Sequence, residues 1–189
     1  MAEEIRVRDE ASRVASEPSS LTRDAGATSI VPLEPQYWDR VRAIYLDGLA
    51  TGQASFETTP PEWTEWDQAH LPHPRLAALR RGEIIGWVAL CPVSKRRCYS
   101  GVAEVSIYID SEARGQGVGR LLLEEVIRVS ERAGIWTLQA VIFPENIGSI
   151  RLHERCGFRL VGRRERIAQR DRVWRDTLLL ERRSWMTGV

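Results

Sequence analysis

Seven residues, Arg114-Gly115-Gln116-Gly117-Val118-Gly119-Arg120, have the composition and setting of an anion cradle. Strand formers run into them, from Val102 to Ile109, and the leucine-rich period of a buried-face helix leaves them, from Leu121 to Val129. Backbone N–H groups at such a helix start have no partner within the helix, and the helix dipole favours negative charge there, so a phosphate can be held. Glycine lets the chain approach a ligand closely and accept a positive φ. The glycines at 115, 117 and 119 do not spell G-x-G-x-x-G, and no Lys-Ser or Lys-Thr follows the last of them. Neither a dinucleotide loop nor a P-loop for ATP and magnesium is therefore supported. What remains is Arg-x-x-Gly-x-Gly between strand and helix, with a turn that binds nothing as the alternative.

That run resembles the pyrophosphate-binding loop of the GNAT superfamily of N-acetyltransferases, whose pattern is Gln/Arg-x-x-Gly-x-Gly/Ala. A second segment, Pro144 to Phe158, is similar to the family's Asn-x-x-Ser-x-x-x-Tyr-x-x-x-Gly-Phe helix, with Asn146, Ser149, His153, Gly157 and Phe158 at its positions. The resemblance covers residues 28–183. Within the superfamily, Thr51 to Thr58 resembles the Thr-x-x-x-x-Phe-x-Thr substrate loop of the branch that acetylates phosphinothricin and methionine sulfoximine. Cys91-Pro92, Arg96, Tyr99 and Glu104 keep that branch's order. Ser94 stands where branch members place a lysine, and Gln169 to Trp174 lacks their usual turn glycine. Both departures bear on the identity of the acceptor.

The resemblance implies acetyl-CoA as co-substrate and an amine acetylated by direct attack. The pyrophosphate would sit on Arg114, Gly115, Gln116, Gly117, Val118, Gly119 and Arg120, although Arg120 can equally be a solvated first-turn arginine. The pantetheine arm would pair with the strand at Ile107, Tyr108 and Ile109, an N–H near Ile107 receiving the acetyl oxygen. Asn146 and Ser149 lie on one helix face and would hydrogen-bond the pantetheine or the diphosphate, and Asn146 also suits a helix cap. Glu104 takes the position of the branch's catalytic glutamate and would remove the acceptor's proton directly or through water; the alternative is a strand carboxylate paired to an arginine. His153 replaces the superfamily's tyrosine, as in the phosphinothricin branch, and is a proton donor or relay, or a packing residue. The acceptor pocket would use Phe56, Thr58, Arg96, Tyr99 and Tyr108, with Arg96 gripping a carboxylate or phosphinate. Lys95-Arg96-Arg97 can equally be an exposed basic turn.

The expected acceptor is a small amino-acid-like amine such as phosphinothricin, methionine sulfoximine or an arsenic analogue. A protein N-terminus or lysine, or a CoA-binding regulatory module without turnover, are the alternatives. A homodimer follows from the resemblance, because branch relatives wall the acceptor site with a partner subunit.

Composition sets the outer bounds. The 189 residues are enough for one domain with a substantial core, and 27 Lys and Arg against 26 Asp and Glu argue against nucleic-acid binding through a general basic field. Cys91, Cys98 and Cys156 form no CxxC pair and suggest a reduced compartment, the cytoplasm. No apolar run has the length of a membrane span, and Met1 to Arg8 lacks the apolar core of a secretory signal. His70-Leu-Pro-His73 lacks partners for a metal, so none is expected.

These groups must be positioned by a small set of elements. Residues 1–27 read as a flexible extension, 28–183 as the domain and 184–189 as a tail. Strands are expected at Ser29 to Leu33, Leu76 to Arg80, Glu83 to Leu90, Val105 to Ile109 and Trp136 to Phe143, and a hairpin at Phe158 to Arg166 and Val173 to Glu181. Helices are expected at Tyr37 to Gly48, from Pro61 through Trp66, at 118–133 and at Asn146 to Cys156. Trp63 and Trp66 share a helix face as core or dimer contacts. This mixed α/β order, without repeats, suits the fold that the resemblance implies: a central, mostly antiparallel twisted sheet flanked by helices.

Overall fold

Among the described residues, a seven-stranded sheet has the order β1-β2-β3-β4-β5-β7-β6. The structure, a computed structural model, describes residues 26–189. The flexible extension expected at 1–27 lies almost wholly outside the described residues. The strands are β1 (Ser29–Pro32), β2 (Arg75–Arg80), β3 (Glu83–Pro92), β4 (Val102–Ile109), β5 (Thr137–Ile142), β6 (Arg159–Arg170) and β7 (Val173–Arg183). All neighbours are antiparallel except β4 and β5. The mixed, mostly antiparallel sheet with flanking helices is the expected fold class.

Helices α1 (Trp38–Ala50) and α2 (Trp63–Ala69) cover one face, and α3 (Val118–Arg132) with α4 (Ile147–Arg155) the other. In α3, Val118, Leu122, Leu123, Val126 and Ile127 are buried, the i, i+4, i+5 spacing of one apolar stripe. They pack on Val88, Leu90, Val105, Leu138 and Leu180. On the opposite face Val41 and Ile44 of α1 meet Trp66, Trp87 and Ala89. Because both faces are covered, β3 is buried almost continuously from Gly86 to Leu90 instead of alternating. Trp66 is a core residue, in ring contact with Trp38, Trp63 and Trp87.

The β4–β5 ladder is short. Its rungs are Val102–Thr137, Ala103–Leu138 and Glu104–Gln139, after which the strands part although both continue. The edge of β4 left bare follows from its pairing with β3. Asp110 N donates to Ile85 O at 3.0 Å and Val93 N to Val102 O at 3.4 Å, so the even-numbered residues of β4 bond to β3. By the alternation of an antiparallel ladder, Ile107 and Ile109 turn their N–H and C=O groups to the side that β5 has left.

The terminal hairpin is longer than its sequence pattern. Register shifts between Arg164 and Ala168, with Arg166 at φ 45°, break the alternation in β6 and hid its last residues. Its two-residue turn has both Asp171 (φ 51°) and Arg172 (φ 65°) left-handed, the conformation for which glycine is usual. Beyond β7 the tail folds back: Arg183 donates to the carbonyls of Trp136 and Thr187, and Thr187 Oγ1 donates to Glu131 O at 2.8 Å. Among the described residues, no helix is long and apolar enough to cross a membrane.

Candidate active site

The parting of β4 and β5 opens a cleft of about 860 Å³. Glu104 to Ile109 form one wall and Ala140 to Phe143 the other, and the glycine loop, α4 and a roof formed by residues 51–56 complete the lining.

At the loop end, Gly115 (φ 75°) and Gly117 (φ 83°) are left-handed, and Gly117 is the residue before α3. The first amide bonded back into the helix is that of Leu121, to Gly117 O at 3.1 Å. The N–H groups of Val118, Gly119 and Arg120 therefore point out of the helix start with no intrahelical acceptor. A Cβ on Gly119 would lie 3.1 Å from Leu152, so glycine there lets α3 sit tightly on α4. Such a cradle fits a diphosphate. Gln116 braces the loop instead of facing the cleft: its Oε1 accepts from Arg80 Nη1 and its Nε2 donates to Glu112 O, both at 2.6 Å. Arg114 Nε donates to Ile109 O at 3.2 Å, and Arg120 pairs with Glu124 at 2.7 Å while remaining exposed. Buried Asp110 accepts from Glu112 N and from Arg40, tying the loop's approach to α1.

Asn146 caps α4. Its Oδ1 accepts from Ser149 N at 3.1 Å, while its Nδ2 donates to Gln53 O at 3.2 Å and so joins α4 to the roof. One turn on, His153 is 1% exposed with Nδ1 2.8 Å from Ser149 O. A carbonyl can only accept, so Nδ1 carries the proton and Nε2, buried without a partner, is an acceptor. Burial holds this imidazole below the usual histidine range, opposed only by that bond.

On the β4 wall, where the two strands part, Glu104 is half-buried, and desolvation raises its carboxyl above the usual range while the positive charge of Arg164 lowers it. Arg164 lies opposite Thr177 in the β6–β7 ladder, and its Nε donates to the Thr177 hydroxyl at 3.1 Å. Cys91, opposite Glu104 on β3, has its thiol pushed up to about 11 by burial and by that carboxylate, which leaves it protonated and unreactive. Tyr108 stacks on Trp87 (4.9 Å) and meets Tyr45 (4.6 Å). Burial raises both phenols, so they remain O–H donors. Phe56 stands edge-on against Phe143 at 4.8 Å.

One chain thus gathers Glu104, Ile107, Tyr108, Ile109, Asn146, Ser149, His153 and Phe56 around the cleft with Arg114, Gly115, Gly117, Val118, Gly119 and Arg120. It does not bring in Thr58, Arg96 or Tyr99. Thr58 is exposed past the roof, and Arg96 stacks on Tyr99 in an exposed turn after β3. The sequence reading passed over Tyr45, Gly48, Ser55, Phe143 and Thr177, which line the cleft. Tyr45 and Gly48 are three apart on α1, a spacing that marks a shared face; Thr177 carries no sequence signal. Among the described residues no group of three or more His, Cys, Asp or Glu is placed to hold a metal.

Comparison with known proteins agrees with this geometry. The model of the Acetyltransferase (GNAT) family matches residues 38–158. The phosphinothricin N-acetyltransferase of Alcaligenes faecalis is 36% identical over 151 residues, 75% of each chain. A GNAT superfamily phosphinothricin acetyltransferase from Sinorhizobium meliloti, solved in complex with acetyl-CoA, superposes with a TM-score of 0.76 at 28% identity, over 85% of this chain and 90% of that one. The ribosomal-protein-alanine N-acetyltransferase of Brucella melitensis gives 0.75 at 27% identity, over 82% and 99%.

Proposed function

The chain belongs to the GNAT family of acetyltransferases, and from that premise we propose that it is an acetyl-CoA-dependent N-acetyltransferase of the phosphinothricin and methionine sulfoximine branch, acting on the α-amino group of a small amino-acid-like acceptor. The observation that carries the proposal is the single cleft in which the glycine cradle, the bare edge of β4 and Glu104 succeed one another. Acetyl-CoA supplies the acetyl group as a thioester. Val118, Gly119 and Arg120 N–H groups hold the diphosphate, and the free groups of Ile107 with the N–H of Ile109 align the arm. The Ile107 N–H stabilises the tetrahedral oxyanion. Glu104, with its basicity raised by burial, takes the ammonium proton directly or through water. His153 presents Nε2 as a proton acceptor and relay in the cleft wall.

Residues 51–56 roof the cleft, and a covered cleft favours a small amine over a peptide. The Brucella protein gives the peptide reading its support, and both acceptors belong in one test. Purified protein with acetyl-CoA is expected to release CoA thiol on addition of phosphinothricin or methionine sulfoximine. Release only with peptides would reassign the acceptor, and acetyl-CoA binding without release across all amines would make the chain a binding module. Arg96 and Tyr99 lie outside this chain's cleft, and the proposal gives them a role in a homodimer, walling the partner's acceptor site. The free thiols of Cys91, Cys98 and Cys156 support a cytoplasmic setting.

A further inference from the structure

Arg170 is the last residue of β6. Its side chain is only 10% exposed although it adjoins the turn, and its guanidinium leaves the hairpin to reach the roof of the cleft. Nη1 donates to Ser55 O at 2.7 Å and Nη2 to Leu49 O at 2.9 Å, while Nε faces Asp171 at 3.5 Å. One planar cation thus spans two carbonyls six residues apart, at the end of α1 and at the far side of the loop. Buried guanidinium N–H groups are costly unless matched, so this geometry binds the hairpin turn and the loop into one unit.

What the loop does with that hold follows from its next residues. The Ser55 carbonyl belongs to the peptide that carries Phe56, so fixing it sets where the Phe56 ring leaves the backbone. That ring stands edge-on against Phe143 at the end of β5, inside the cleft wall. Two further contacts repeat the pattern at other carbonyls of the same loop. Arg175 donates to Gly52 O at 3.3 Å while lying over the Phe143 ring, and Asn146 donates to Gln53 O. Among the described residues, only Arg170 closes the loop's two ends against each other.

We propose that Arg170 is the positioning residue of the acceptor pocket: by clamping the Leu49 and Ser55 carbonyls it sets the loop that carries Phe56, and with it the affinity for the amine. The proposal rests on the reading of residues 51–56 as the acceptor wall. Lysine cannot replace this arginine, because a single ammonium on a flexible stem does not bridge two fixed carbonyls in a plane.

Arg170→Lys and Arg170→Ala, with Arg172→Ala as an exposed neighbour that removes the same charge, test it by two readouts. Initial rates with acetyl-CoA and phosphinothricin are expected to give an acceptor KM raised about tenfold in both Arg170 variants, an unchanged acetyl-CoA KM, and wild-type values for Arg172→Ala. Hydrogen exchange of the ligand-free proteins is expected to rise within residues 49–56 and not in α3. An unchanged acceptor KM with unchanged exchange, or equal rises in both KM values, would overturn the proposal. Where Arg170→Ala does not fold, Arg170→Lys carries both measurements. If wild-type protein acetylates no amine, the functional reading fails while exchange at 49–56 still decides the clamp.

Discussion

The Nδ1–H of His153 donates to the main-chain oxygen of Ser149 at 2.8 Å, one turn back in α4, and this single bond decides which ring nitrogen carries the proton. With Nδ1 protonated, Nε2 is a bare acceptor in a buried wall beside Phe158. The tyrosine of most superfamily members offers an O–H to a leaving thiolate; the histidine here must first receive a proton.

His153 is expected to remain neutral below the ordinary histidine pKa of about 6.5. Its folded pKa is lowered, so the unfolded chain binds the proton first as pH falls, and stability is lost from about pH 6.5 downward. Urea denaturation of wild type and His153→Gln between pH 7.5 and 5 checks this, since glutamine does not titrate. The wild-type advantage should shrink as pH falls; His70, also lowered by burial, is common to both proteins and cancels. A constant difference would mean that His153 titrates alike in both states.

Glu104→Gln is expected to lower kcat/KM for the amine at pH 8 by about 100-fold, the usual scale for loss of a positioned base, and to leave the acetyl-CoA Kd unchanged. Arg164→Met removes the positive charge that holds the Glu104 carboxyl down, so the acid limb of the pH profile should move to higher pH. An acid limb that moves down would place Arg164 elsewhere in the mechanism.

Gly117→Ala puts a side chain at φ 83°, with open space around the new Cβ. The cost is conformational, about 1–2 kcal/mol for a left-handed L-residue, and falls on the cradle. Calorimetric titration should show a weakened acetyl-CoA Kd, and urea denaturation a loss of that size. Full affinity with unchanged stability would mean that the cradle tolerates alanine.

Gly48→Ala places a Cβ 2.6 Å from the Tyr108 ring, which is itself held by Trp87 and Tyr45. Overpacking there is expected to cost about 1–3 kcal/mol and to disturb the cleft. Thermal melts and acceptor kinetics should both respond. A loss of stability with wild-type acceptor KM would separate Tyr108 from the pocket.

Much of the fold was legible because its signals are local. The α3 stripe, the Arg81-Gly82 hairpin and the glycine run before Val118 each lie within a few residues of chain. The bulge at Arg164 to Ala168 was not legible, since a register shift is a property of two strands together and leaves β6 without alternation.

The site divides along the same line. Arg114 to Arg120 and Asn146 to Ser149 are contiguous motifs at helix starts, where backbone N–H groups are orphaned whatever the rest of the chain does, so sequence alone determined the free amides of the glycine loop and the helix cap. Tertiary structure alone decided that Ser55 would be held from Arg170, 115 residues away, and that Gln116 would turn to Arg80. It also left Arg96 and Tyr99 outside the cleft of their own chain. The hold of Arg170 on Ser55 joins a side chain to a distant backbone carbonyl, and a carbonyl is the same in every residue. Its partner is chosen by where the sheet brings the two elements together.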